Sequence, residues 1–178
     1  MVVALPLFMQ NMDTSTMATA LPTISDSLGV DPLQLNLAIT AYLLSLAIFL
    51  PASGWMADRF GAKRVFCWAI VLFTCGSVMC ATINSLGMLV VARVLQGMGG
   101  AMMVPVGRLI LLRRVSPANM VSAMVWFTVP PAVGRMMGPL VGGAVVTWLS
   151  WRWIFLVTVP VSLMALLLAW TLIDADEP

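Results

Sequence analysis

Histidine is absent from all 178 residues. That removes imidazole general bases, histidine metal sites and any Ser-His-Asp triad, and it points away from enzymology. Charge is nearly as scarce: 9% of the residues are charged and 61% hydrophobic, against about 25% charged in an ordinary soluble domain. The three cysteines, Cys67, Cys75 and Cys80, fall in one apolar stretch at spacings that fit neither a CxxC pair nor a zinc pattern, so they read as small core residues. No metal and no cofactor is expected. The start of the chain lacks the basic region of a signal peptide, and its apolar run is longer than a signal core, so it reads as a first membrane span. The net charge of +2 comes from basic residues beside apolar segments, which excludes a nucleic-acid face.

What the chain does have is a series of long apolar stretches between short polar breaks. A helix needs about 20 residues to cross the hydrocarbon core, so the length accommodates about six crossings and little else. The expected fold is an all-α membrane protein, a single six-helix transmembrane domain over residues 1–178, with spans at about 3–24, 36–57, 65–83, 87–109, 119–147 and 152–172. The breaks carry turn chemistry: "SDSLGVDP", "DRFGAKR", "NSLG", "RRVSPAN" and "LSWR". Basic residues alternate among them. The second break holds Arg59, Lys63 and Arg64, the fourth Arg113 and Arg114, the fifth Arg152, and the first and third none. Under the positive-inside rule the second and fourth breaks are cytoplasmic, as are the N-terminus and the C-terminal "DADEP". Arg108 agrees by snorkelling, and Trp148, Trp151 and Trp153 read as lipid-facing anchors at the outer interface.

Against this background three charges stand out, because a charged side chain at a helix centre costs about 2.5–3.5 kcal/mol on insertion scales and calls for a partner or a task. They are Asp13 in the first span, Arg93 in the fourth and Arg135 in the fifth. Helix rotation is not fixed by sequence, so Asp13 could pair with either arginine. Near Arg93 lie Gln96, Gly97, Gly99 and Gly100. They fail as a dinucleotide motif, since a third glycine would fall at Met102 and no strand precedes, but the small residues at 97 and 101 permit close helix packing. In the fifth span Gly134, Gly138 and Gly142 share one helical face, with Gly143 beside them and Pro139 breaking a backbone bond: a bare, bendable groove. Asp58 sits at the C-terminal end of a helix, where the macrodipole disfavours a carboxylate, so it needs neighbouring Arg and Lys side chains or another helix N-terminus to hold it.

The loop "GWMADRFGAKRV", with Gly54, Asp58, Arg59, Gly61 and Lys63 in register, resembles the signature of the major facilitator superfamily between its second and third helices. Ala62 replaces the usual basic residue, a charge that Arg64 supplies. The resemblance implies that Asp58 helps latch the cytoplasmic side shut, partly against the second half of the transporter. "LVVARVLQGMGGAMMVP" is similar to a second facilitator signature, which implies a proton-coupling role for Arg93. "GRMMGPLVGG" resembles the fifth-helix signature of proton-driven antiporters, with Arg135 standing in a slot that relatives usually fill with an apolar residue or proline. "MDTSTMATALP" and the later "WRWIF" resemble the fourteen-span drug:proton antiporters. Asp13 and Pro22 match, while Ala18 and Leu37 depart from the usual asparagine and tryptophan.

The chain is therefore identified as the N-terminal six-helix half of such an antiporter. The resemblance implies export of small amphipathic or drug-like compounds in exchange for protons from a bacterial inner membrane, with a C-terminal half as partner, lipid around it, and no nucleic acid. Asp13, Arg93, Arg135 and Gln96 would form the coupling and substrate cavity, and methionines such as Met98, Met102, Met103, Met136 and Met137 offer an adaptable lining. The alternative is a non-transporting structural or regulatory membrane subunit derived from a half-transporter.

Overall fold

The computed structural model describes residues 2–173; the "DADEP" segment lies outside them, so its side of the membrane is not located. Six long helices form a bundle: α1 (Ala4–Leu28), α2 (Pro32–Phe60), α3 (Ala62–Thr82), α4 (Leu86–Arg114), α5 (Met120–Trp148) and α6 (Trp153–Leu172), with a 3-10 turn at Pro117–Asn119 before α5. No strand occurs among the described residues.

α1 to α4 outrun their expected spans, α5 and α6 do not, and at α1 and α2 caps rather than hydropathy set the ends. α1 continues through Ser25 and Asp26 and stops where Gly29 adopts φ 64, its N–H and that of Val30 returning to the carbonyls of Asp26 and Ser25. α2 begins four residues before its expected start, at Pro32, because the Asp31 carboxylate accepts from the Leu33 N–H and proline fits the first helical position. At 29 residues each, α2, α4 and α5 are ~44 Å long, more than the hydrocarbon thickness, so they tilt or project beyond it.

Length and composition alone qualify α2, α3, α4 and α6 to cross a membrane. The two other helices, α1 with its hydroxyls and Asp13 and α5 with its prolines, glycines and Arg135, pack mainly on each other. A Cβ on Gly134 would overlap the carbonyl oxygen of Phe8, one on Gly138 would overlap the Ser15 side chain, and one on Gly142 would lie 3.1 Å from Thr16 Cγ2. Gly143 faces open space and is not part of this seam. Pro139 has no N–H for the carbonyl of Arg135, four residues earlier, and Ser15 Oγ donates to that carbonyl at 2.8 Å; Thr16 Oγ1 does the same for Gly138 at 3.3 Å. The Ser15 hydroxyl thus takes up the carbonyl that Pro139 leaves without a backbone donor, and Thr16 adds a second bond across the seam.

Around this seam, α4 packs on α2 and α3, and α3 on α6. Two apolar clusters form. One joins Leu7, Phe66, Phe73, Met102, Met103 and Ala169, the other Met17, Ile24, Cys80, Leu89, Trp151 and Phe155. Two sequence expectations change here. Cys75 is exposed while Cys67 and Cys80 are buried, so one of the three cysteines is not a core residue. Trp148 and Trp153 are exposed as anchors should be, but Trp151 is buried and donates Nε1–H to Ser27 Oγ at 2.9 Å, pinning the fifth break to the end of α1.

Candidate functional site

Between the two apolar clusters lies a buried polar layer of Gln10, Asp13, Tyr42, Ser77, Arg93 and Gln96, drawn from α1 to α4. Its centre is an ion pair: Arg93 Nη1 donates to Asp13 Oδ2 at 2.8 Å, and both side chains are at most 1% exposed. The same nitrogen donates to Gln96 Oε1 at 2.6 Å, one turn along α4, and Gln96 Nε2 donates onward to Ser77 Oγ at 2.9 Å. The guanidinium lies over the Tyr42 ring, 4.4 Å from its centroid. Gln10 Nε2 closes the layer by donating to Tyr42 Oη at 3.4 Å and to the Gly100 carbonyl at 3.3 Å.

Glycine makes this layer possible. A Cβ on Gly97 would lie 2.7 Å from Ser45 Cβ, one on Gly99 2.6 Å from the Phe73 nitrogen, and one on Gly100 2.9 Å from Gln10 Nε2. α4 can therefore approach three helices at once, close enough for a side chain as long as arginine to be enclosed. The pairing is a single contact, not a two-pronged one. Asp13 Oδ1 and Arg93 Nε are buried with no hydrogen-bond partner among the described residues. Each such group costs free energy, and a site that keeps them is under-satisfied by construction.

The structure brings Asp13, Arg93 and Gln96 together and leaves Arg135 out. Asp13 faces α4, while Asn11 and Ser15, two residues to either side on the opposite face of α1, meet α5. Arg135 is exposed and donates from Nη2 to Asn11 Oδ1 at 3.1 Å. It borders an open groove of about 390 Å³ lined by Asn11, Pro131, Ala132, Arg135 and Met136. Of the methionines, Met102 and Met103 are core residues, whereas Met136 and Met137 are exposed on α5. Tyr42, Ser77 and Gln10 went unmarked in the sequence. Tyr42 is the only tyrosine of the chain, and its isolation in an apolar span is the one signal available.

The loop between α2 and α3 turns on Gly61, whose φ of 88 suits glycine. Among the described residues Asp58 accepts from Arg113 Nη2 at 3.2 Å, brought from the C-terminal turn of α4, rather than from the cations of its own loop or from a helix N-terminus. Arg59 instead lies over Trp55 and Phe60, with 5.6 and 5.8 Å to the ring centroids. Lys63 donates to the Trp170 carbonyl at 2.8 Å, and Arg64 is exposed beside it. Gly54 has nothing within 4 Å of the position a Cβ would take, so no contact inside the described bundle requires glycine there. At the other end of the bundle Arg152 donates to Asn84 Oδ1 at 2.6 Å and so joins the fifth break to the third. The second and fourth breaks thus share one end and the first, third and fifth the other.

The sequence profile of the Major Facilitator Superfamily matches residues 3–178. The chain is 49% identical over 163 residues to MdtD, a candidate multidrug resistance protein of Salmonella paratyphi B, and 50% identical over 163 residues to the MdtD of Klebsiella pneumoniae. Each alignment covers 92% of this chain and 35% of the relative, so the chain spans about a third of the length of those proteins. Among solved structures, the proton:xylose symporter XylE superposes with a TM-score of 0.85 at 16% identity, covering 96% of this chain and 43% of that one. The human organic anion transporter MFSD10 superposes at 0.76 with 17% identity, covering 99% and 47%. At these identities the likeness is one of fold.

Proposed function

The chain belongs to the major facilitator superfamily, and we propose that it forms the N-terminal six-helix half of a proton-coupled antiporter that exports small amphipathic or drug-like compounds. The observation that carries this reading is the Asp13–Arg93 pair, enclosed between two apolar clusters with one oxygen of the carboxylate unpartnered. The multidrug-resistance name of the similar MdtD proteins supports the export of drug-like compounds, and their greater length supports a further part that completes the transporter. Clustering of Arg59, Lys63, Arg64, Arg113 and Arg114 at one end supports a cytoplasmic location for that end, in a bacterial inner membrane.

The chemistry follows from the charges. With Asp13 ionised the pair is neutral and joins α1 to α4. A proton arriving at Oδ1 leaves Arg93 as an uncompensated cation in a low-dielectric layer, held only by Gln96 and the face of Tyr42. That state is relieved when α1 separates from α4 and admits water or substrate, and rocking of one half against the other then changes the side of access. Asp58 and Arg113 close the cytoplasmic end of the half, with Arg59, Lys63, Arg64 and Gly61 setting the loop.

The test uses the full-length transporter in proteoliposomes. Asp13→Asn should abolish efflux driven by a pH gradient, and Asp13→Glu should keep part of it. The double variant Asp13→Asn/Arg93→Gln should recover abundance without recovering coupling. Export by Asp13→Asn with unchanged dependence on the gradient would make the carboxylate structural and remove the reading.

A further inference from the structure

Arg135 is the charge that the coupling site does not use. It stands 13 residues from Trp148, the nearer end of α5, so it is ~20 Å from that end and beyond the reach of a lipid headgroup. Ser15, which donates to its carbonyl at 2.8 Å, places it level with the turn of α1 that carries Asp13. A guanidinium at that depth is held by protein or water and not by lipid tails. Its side-chain partner is a neutral amide, Asn11 Oδ1 at 3.1 Å, and Asn11 Nδ2 is already committed to the Leu7 carbonyl at 2.9 Å. Among the described residues no carboxylate faces it: Asp13 points from the other side of α1 and is engaged by Arg93. Among the described residues the polar layer and Arg135 together therefore carry one uncompensated positive charge at mid-height of the bundle, with Arg135 on its exposed face. Beside it, Pro131, Ala132 and Met136 give the groove apolar walls, one of them adaptable.

We propose that Arg135, steadied by Asn11, binds the carboxylate, sulfonate or phosphate group of an amphipathic anionic substrate whose apolar body lies along Pro131, Ala132 and Met136. This rests on the exporter reading and adds to it a substrate class and a subsite apart from the proton site. The planar guanidinium keeps free donors for two oxygens of such a group, which a single bond to Asn11 leaves available.

Binding can be measured on the full-length protein in nanodiscs by fluorescence anisotropy, with carboxyfluorescein as the anionic probe and ethidium as the cationic one. Arg135→Gln should raise the Kd for carboxyfluorescein about tenfold and leave that for ethidium nearly unchanged, with Arg135→Lys between wild type and Gln. Unchanged melting temperature of the variants shows that the fold is kept. The proposal is overturned if the wild type does not bind carboxyfluorescein saturably, or if Arg135→Gln weakens both probes alike or neither. A tightened carboxyfluorescein Kd on Arg135→Gln would instead assign the arginine to a carboxylate elsewhere in the transporter. The exporter reading fails separately, if the wild-type protein binds carboxyfluorescein but shows no efflux driven by a pH gradient.

Discussion

Two Asp–Arg pairs join α4 to another helix. Arg93 meets Asp13 of α1 at 2.8 Å with both side chains at most 1% exposed, and Arg113 meets Asp58 of α2 at 3.2 Å with the partners 48% and 71% exposed. The chemistry is the same and the surroundings are opposite. The exposed pair gains little from Coulomb attraction in water and is screened by salt, so it is worth about 0.2–1 kcal/mol and can break and reform freely. The buried pair gives up hydration on both sides, and removing one member strands the other, at a cost of about 3–5 kcal/mol. Under the proposed function the exposed pair would suit a latch that opens in each cycle, and the buried pair a site where one proton changes the balance.

The largest expected effect comes from breaking the buried pair one side at a time. An asparagine at position 13 would be cheaper to bury alone, but here it leaves Arg93 without a counter-charge. Asp13→Asn should therefore lower the stability of the full-length protein by about 3–5 kcal/mol, measured by thermal unfolding in detergent. Arg93→Gln should cost less, because a stranded aspartate can take up a proton and a stranded arginine cannot shed one. The double variant should be more stable than Asp13→Asn, and purely additive losses would mean that the contact at 2.8 Å carries no coupling.

The buried pair can also be disturbed without touching either member. Gly138→Leu places a side chain where Ser15 lies, which pushes α1 away and shifts Asp13 from Arg93. A loss of about 1–3 kcal/mol or more is expected, together with impaired efflux. Gly143→Leu, facing open space, is the control and should change neither. Normal abundance with normal efflux in Gly138→Leu would remove the seam from the argument.

The exposed pair gives the smallest effect. Arg113→Gln should change stability by less than about 1 kcal/mol, and added salt should erase the difference. A final comparison of the two ends involves no energy. Single cysteines at Asp31 and at Lys63, in a background without the native three, should react with an impermeant thiol reagent from opposite sides of the membrane. Equal labelling in intact cells would overturn the orientation.

Much of the fold was legible because apolar length is a one-dimensional property: it marks α2, α3, α4 and α6 whatever their rotation, and the turn residues between them delimit the more polar α1 and the proline-rich α5. The ends were less so, since Ser25 and Asp26 read as a break while the backbone continues to the Gly29 cap. Asp13 and Arg93 were legible as expensive residues, but their pairing was not, because it depends on which face of α1 turns to α4. The glycines at 97, 99 and 100 fix that rotation only once their neighbours are known. Ser77 and Gln10 could not be found in advance, since a lone polar residue in a span looks the same whether it bonds its own backbone or a distant guanidinium. Trp151 shows the same limit: its composition fits an interface anchor, and only the nearby Ser27 makes it a buried donor.

The seam between α1 and α5 has a consequence for measurement. Where Gly134 meets the Phe8 carbonyl and Gly138 meets the short Ser15 side chain, the two helices approach closely. Helices packed this closely are expected to tilt together, which makes the pair an internal frame of reference. Spin labels placed on α1 and α5 should keep a constant separation in every state of the transporter. A changing distance from either of them to α4 then reads directly as displacement of the whole unit, free of any contribution from bending within it.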